Sequence, residues 1–536
     1  MKKILYIITV AAFVAFAAFG FTSCERWLDE PPSGHTIPVE GDVEAFNRLL
    51  NNLQSIDFIF MDNNRISPLA FLSDYGYISD IQLRLDWLAG GAAARHIRAH
   101  LFMMPYENPN LIDYFWNWGF FRGNSFFNVV IDGVNDVRTP ETEELAKTVI
   151  AQATVARAWN FFNAALIYGP AFNPNGDNST RIIPLRTQSS PTAPMVDLST
   201  TQEVFDFVLA EIYEVLPDMP ANIATNARFG RVSTYTLLGE IHLWKREWAT
   251  ALYYFDNAVE LAAQQRGGMQ NLFYDMNLWE WAIPAQIEAN PDLRLNMAVN
   301  QPQTAYQLND TRHREILLFR NAAGGGAGPT MMYPSNEFIA LFDSTTDLRR
   351  EFFFFENPGR VGTHEGVAFN DGRRMVNRQA KKVRTAGYCF PELLLMRAEA
   401  RARTGDLGGA LDDLNFLRQF RHITGTPPLS ILGFDDIMQE IINERRRELN
   451  ALGHKRALDM KRLALDVGRP WSMQTFTRRV GNQYFTGNIG GTNDGEHFTL
   501  RISNTILLHN PQWNYPKDTR PWSNMVVREL GLIDNI

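Results

Sequence analysis

Cysteine is almost missing from this chain: 536 residues contain only Cys24 and Cys389, so no framework of disulfides can hold the fold. Charge of one sign is equally sparse in runs. The net charge is -8, with no basic block, which removes the electrostatic footprint of a nucleic-acid binder. The familiar marks of catalysis are absent too. No Gly-x-Ser-x-Gly elbow occurs, and Gly324-Gly325-Gly326 lacks the Lys and the following helix that a phosphate cradle needs. His96 and His100 lie four apart, but without the Glu that accompanies a helical metal pair. Among 59 acidic residues no motif singles out the two flanking carboxylates of a glycosidase. Hence no catalytic residue, metal or cofactor is expected, and the chain reads as a non-enzyme.

What is present starts at the N-terminus. Lys2 and Lys3 precede an apolar run from Ile4 to Phe21 and then the small residues Thr22 and Ser23, the layout of a secretory signal over residues 1–23. Phe21-Thr22-Ser23-Cys24 looks like a lipobox, in which Cys24 is acylated and becomes the mature N-terminus. Several acyl chains hold a soluble domain on a membrane without a spanning helix; the competing reading of the same run is an uncleaved signal anchor. A lipidated Cys24 leaves Cys389 without a partner, as a packed thiol. Residues 24–40, acidic and Pro-rich through Pro31-Pro32-Ser33-Gly34, read as a tether, and residues 41–536 as the folded domain.

The domain is patterned for helices. Glu144 to Tyr168 carries one apolar stripe through Ile150, Ala153, Phe161 and Ala164 and another through Val155, Trp159, Phe162 and Leu166, so it is packed on two sides. Gly169-Pro170 stops it. Arg157, in line with the first stripe, needs a buried partner or a solvent gap. Residues 232–262 form a helix, a turn at Arg246-Glu247 and a second helix; residues 390–420 repeat the design, placing Ala410 on Ala251, Leu411 on Leu252 and Leu414 on Phe255. Small residues at the crossing with large ones nearby mark tetratricopeptide-like helical pairs. Further helices are predicted over Thr201–Leu216 and Phe434–Leu452. The fold is therefore mainly α.

Three stretches resist periodicity: Ser55–Tyr106, about 267–387, and the tail from Pro470. They divide the domain into an N-terminal part (about 41–266), an irregular insertion (about 267–387) and a C-terminal part (about 388–536). Long irregular segments in a compact fold usually carry function.

The run VARAWNFFNAALIYGPAF (155–172), the pair PELLLMRAEARARTGDLGGALDDLNFLR (391–418) with Asn415 and Arg418, and INERRRELNALGHKRALDMKRL (442–463) together resemble the SusD/RagB family of nutrient-binding outer-membrane lipoproteins. Leu452, where that family often has Glu, and His509-Asn510-Pro511-Gln512, in place of its usual Pro-x-x-Glu, depart from the pattern. The acidic residues after Cys24 are also similar to surface-export signals of Bacteroidetes lipoproteins. The resemblance implies a SusD-like α-α superhelix of four helical pairs under a loop-rich ligand face, anchored beside a SusC-like TonB-dependent transporter on the exterior of the outer membrane. It implies capture of a glycan, or in some relatives a peptide.

A sugar's apolar face stacks on an aromatic ring while forked polar groups take its hydroxyls. Asp74, Arg84 and Trp87 in the first irregular stretch, and Trp279, Trp281 and Tyr333 in the second, are the candidate ligand-binding residues; for each Trp the competing reading is scaffold packing. Trp116 and Trp118 read as core. Glu444-Arg445-Arg446-Arg447-Glu448-Leu449 reads as a structural ion network rather than an acid/base site.

Overall fold

A computed structural model describes residues 41–51, 68–79, 81, 83, 94–111, 113, 115–278, 314–320, 333–357, 359, 361–364, 367–372, 374–377, 385–449 and 453–523. The signal, Cys24 and the tether fall outside the described residues. The scaffold is built from α1 (Arg122–Val137), α2 (Glu143–Tyr168), α3 (Thr201–Val215), α4 (Arg231–Lys245), α5 (Trp248–Arg266), α6 (Phe390–Thr404), α7 (Leu407–Arg418), α8 (Phe434–Glu448) and α9 (Gly453–Leu463). Each helix packs on its neighbours: α1 on α2 on α3, then α4 on α5 on α6 on α7, with α8 also against α6. The mainly helical, paired architecture expected from the periodicity is what forms.

Helix α2 is the spine. Every residue from 151 to 168 is buried, as two apolar stripes require. The charge of Arg157 is met as the stripe pattern demanded: its guanidinium pairs with Glu211 and donates to Asn128 Oδ1 at 2.9 Å and Thr187 O at 3.2 Å. At the C-terminal end of α2, Lys461 from α9 donates Nζ to Leu166 O at 2.8 Å and also to Gly169 O. An ammonium there satisfies carbonyls that the helix leaves unpaired and opposes the negative end of its dipole. With no carboxylate to offset it, burial pushes the Lys461 amine down to about 7. Two of the motifs, one around Tyr168-Gly169 and one around Asp459-Met460-Lys461-Arg462, thus meet in space.

The internal repeat is also physical. Arg246 (φ 64°) ends α4 and Gly405 (φ 93°) ends α6, both in the left-handed conformation that turns a chain sharply from one helix into the next. In the first pair Gly239 has no side chain because a Cβ would lie 2.4 Å from the Phe255 ring. The equivalent positions in the second pair are Ala398 and Leu414, both fully buried. One side grows as the other shrinks, which keeps the crossing filled.

The Glu-Arg-rich run of α8 is an ion network. Arg445 bonds Asp459 (2.7 Å) and Glu392 (3.0 Å), and Arg447 pairs with Glu444 at 2.8 Å. Glu444 and Glu448 both receive the fully buried Arg349, at 2.5 and 2.6 Å. Asn415 staples the loop after α7, exchanging two hydrogen bonds with the backbone of Leu429 (2.8 and 3.1 Å). Cys389 is a packed thiol that precedes α6 as its N-cap residue; burial pushes it up, further from reactivity.

Strands are few and short. Those that matter for the loop face are β1 (Gly76–Tyr77), β2 (Tyr333–Pro334), β3 (Phe354–Asn357), β4 (Val361–His364), β5 (Val367–Asn370) and β6 (Arg374–Asn377). β3 pairs with β6 and β4 with β5, all antiparallel, so part of the irregular insertion is a long hairpin. A small second core beneath it, with Tyr75, Tyr274, Phe338, Phe342 and Phe354, anchors the loop face to the helical scaffold. Among the described residues no helix is long and apolar enough to cross a membrane.

Candidate ligand-binding face

The two irregular stretches are distant in sequence but are sewn together. β1 runs antiparallel to β2, with Tyr77 opposite Tyr333 and Gly76 opposite Pro334. Ser335 N donates to Tyr75 O at 3.0 Å, and Ser335 Oγ donates to Asp74 O at 3.2 Å. From the other side the hairpin closes in: Ser79 Oγ donates to Asp371 Oδ2 at 2.9 Å.

This seam presents one ring beside a forked pair of charges. The Tyr77 ring lies 6.0 Å from that of Tyr333, and the Arg374 guanidinium sits 5.9 Å above Tyr77. Asp371, buried, holds Arg374 at 3.6 Å. The Arg374 side chain remains 37% exposed, and its Nε has no protein partner. Burial raises the Tyr77 hydroxyl above its ordinary value, with Asp371 and Glu337 adding to the rise and Arg374 opposing it. The phenol therefore stays neutral and can both donate and accept. Tyr77, Arg374 and Asp371 supply what sugar capture requires: an aromatic face and planar donors within one small area.

The candidate residues read from the sequence fare differently. Tyr333 is in the seam, but only 5% exposed; it backs Tyr77 rather than offering a face of its own. Asp74 is also in the seam, and its expected role in ligand contact meets a physical objection. Its carboxylate is gripped by Arg456 through two hydrogen bonds (2.7 and 2.8 Å) and by Arg446 at 3.2 Å. Burial by itself opposes ionisation, but Arg456, Arg446 and Arg478 outweigh it and hold the carboxyl well below the usual range. Its oxygens are spent on the protein. Arg84, Trp87, Trp279 and Trp281 lie outside the described residues. Trp116 is core, 4% exposed with its ring edge-on to Phe120 and Tyr168. Tyr77, Arg374 and Asp371 were not legible beforehand, because no periodicity links position 77 to positions 371–374.

The histidine pair is packed away from any chemistry. His96 is stacked on Phe71 at 4.2 Å, and burial pushes it down to about 3; His100 accepts from Ile78 N at 3.2 Å. Both are core residues. Among the described residues no group of three or more His, Cys, Asp or Glu is placed to hold a metal. A cleft near Glu107 and Asp113 has raised carboxyls: burial, then Asp113, pushes Glu107 up to about 7. The oxygens of Asp113 already accept from Trp116 N (3.0 Å) and Tyr168 Oη (2.9 Å), which leaves it poorly disposed to attack a substrate.

Residues 303–513 match the model of the SusD family. No curated protein matches the chain. Among solved structures, a SusD superfamily protein from Bacteroides thetaiotaomicron superposes with a TM-score of 0.63 at 15% identity, covering 90% of this chain and 100% of that one. A putative sugar binding protein from Bacteroides vulgatus gives 0.57 at 15% identity, covering 88% and 97%. A SusD-like carbohydrate binding protein from the same species gives 0.56 at 16%, covering 89% and 99%. At such identities the likeness is one of fold.

Proposed function

Residues 303–513 belong to the SusD family and the fold around them is that of SusD superfamily proteins, and from that premise we propose that the chain captures oligo- or polysaccharide at the cell surface without cleaving it. The observation that carries this reading is the seam of Tyr77, Tyr333, Asp371 and Arg374, a ring beside planar donors on the loop face. Trp87, Trp279 and Trp281, with Arg84, are the further rings and donors proposed to extend the site. The names of solved neighbours that bind sugar favour a glycan over the peptide that some relatives take.

The N-terminus and the family support a cellular setting for this capture. Cys24 carries the lipid, the outer membrane holds the anchor with the domain facing outward, and a SusC-like TonB-dependent transporter receives the captured glycan. Two experiments test this. The chain lacking residues 1–24 should be retarded by at least one polysaccharide in affinity electrophoresis and release no product from it. Retardation by none, alongside clear binding of peptides, would overturn the glycan reading; released sugar would overturn the non-catalytic one. For the setting, Cys24→Ala should free the protein from the membrane fraction, and a TonB-dependent barrel should copurify with the wild type.

A further inference from the structure

A second cleft shares no lining residue with the seam. It opens between the start of α1 and the loops at 184–196 and 510–513, with an empty volume of about 580 Å³ counted to its open mouth. The chain reaches it through a π-helix, Phe115–Phe121, which leads directly into α1. Such wide turns are rare and occur frequently at functional sites. Trp116, Phe120, Phe161 and Trp513 line the walls. Phe121 and Met195 form the rim, 52% and 59% exposed.

Within this apolar surround sits Asn124, only 5% exposed, with neither its Nδ2 nor its Oδ1 bonded to any protein group. An unmet buried amide is costly, about 1–3 kcal/mol, and one turn away the same residue type is fully used. Asn128 donates to Arg186 O and Gln188 O and accepts from Arg157. Trp513 likewise spends its Nε1 on Val196 O at 2.9 Å. The unmet amide is therefore a property of this position and not of the cleft's polar groups in general.

The lining also states what does not belong there. It contains no carboxylate, so a cation finds no counter-charge. Its one cationic side chain, Arg186, already donates to Gln188 O at 3.4 Å and Ser190 O at 2.5 Å. A fully hydroxylated sugar ring stacked on these walls would find few unspent polar groups for its hydroxyls, because Asn510 Nδ2 already donates to Ile506 O at 2.9 Å and Asn128 and Arg186 are bonded within the protein. What fits is a neutral group that carries one acceptor and one donor for a carboxamide and an apolar end for the aromatic walls. A secondary amide with a methyl does this.

We propose that this cleft is a second ligand site, which receives the acetamido group of an N-acetylated sugar through Asn124 and the Phe121–Met195 rim. The proposal rests on the glycan reading of the preceding subsection. The carboxamide of Asn124 meets the amide N–H or C=O, and the acetyl methyl enters among Trp116, Phe120 and Phe161.

Saturation-transfer NMR on the chain lacking residues 1–24 tests it, with N,N′-diacetylchitobiose as probe, cellobiose as the analogue without acetamido groups, and N-acetyl-phenylalanine amide as a peptide-like competitor. Strong saturation of the acetyl methyl is expected, with weak saturation of cellobiose. Asn124→Leu should weaken chitobiose binding at least about tenfold. Should Asn124→Leu not fold, Phe121→Ala alters an exposed rim residue and is expected to weaken the same signal. Equal saturation of both disaccharides, or chitobiose binding unchanged in both variants, overturns the proposal while polysaccharide retardation at the seam stands. If no polysaccharide is retarded but the phenylalanine amide occupies the cleft in an Asn124-dependent way, the glycan reading itself falls and the acetamido assignment with it.

Discussion

Two aspartates of the loop face, Asp74 and Asp371, each meet an arginine, and the resemblance ends there. Asp74 accepts two hydrogen bonds from Arg456 and a further contact from Arg446, all largely withdrawn from solvent. Asp371 bonds Ser79 and only steadies Arg374 from 3.6 Å, leaving the guanidinium partly exposed and over a tyrosine ring. The first pair has spent its hydrogen-bonding capacity on the fold. The second has capacity left for a ligand, and that residue of unspent donors, rather than residue type, is what separates a binding group from a structural one.

The comparison can be broken most forcefully at the first pair. Asp74→Asn should cost about 3–5 kcal/mol, because it strands two buried guanidinium groups, and urea unfolding would register the loss as a lower midpoint. A cost below about 1 kcal/mol would mean that the arginines find water instead. Acid should then attack the same class of buried pair. Glu399, fully buried, loses some ease of ionisation to burial, but Arg462 and Arg403 more than reverse this and bring it from 4.5 down to about 2. A lowered carboxyl stabilises above its unfolded value and loses that contribution as pH falls through the folded one. Stability should therefore decline by about 3 kcal/mol between pH 4.5 and 2 from this site alone, and Glu399→Gln should flatten that part of the pH–stability curve.

At the second pair the expected effect moves from stability to binding. Arg374→Ala should weaken capture of the retarding polysaccharide about tenfold, the scale of a moderate contact residue, with unfolding changed by no more than about 0.5 kcal/mol. A large loss of stability instead would make Arg374 a second Asp74-like lock. A carboxyl with weak compensation should show a pH effect of the opposite sign to that of Glu399. Glu107 is raised to about 7 by burial and by Asp113, against a long 3.4 Å contact with Arg95. A raised carboxyl gives its full stability below its unfolded value near 4.5 and loses it as pH rises to its folded value near 7, so the melting temperature of Glu107→Gln should gain on the wild type between pH 4.5 and 7.

Helices and their pairing were largely readable in the chain because their signal is local. The stripe of α2 and the left-handed turns at Arg246 and Gly405 lie within a few residues of the groups they organise. The run of Glu and Arg in α8 likewise announced an ion network, although the pattern did not show that Arg349 and Arg421, from other segments, would complete it through Glu444, Glu448 and Glu315. The site was much less legible. Asp74 was a reasonable candidate by type and place, but its partner Arg456 is nearly four hundred positions away in the chain. Tyr77 joined Tyr333 through a two-residue pairing that leaves no periodic trace.

The sequence by itself determined the helical scaffold and its internal repeat, since apolar spacing and turn residues act over a single helical turn. It also pointed to the regions where function would be sought, by their lack of period. Only the tertiary structure decided which polar groups in those regions remain unspent. It locked Asp74 beneath Arg456 and left Arg374 over Tyr77. Hydrogen-bonding capacity is consumed by whichever neighbour folding brings within about 3 Å, and for these residues that neighbour comes from far along the chain.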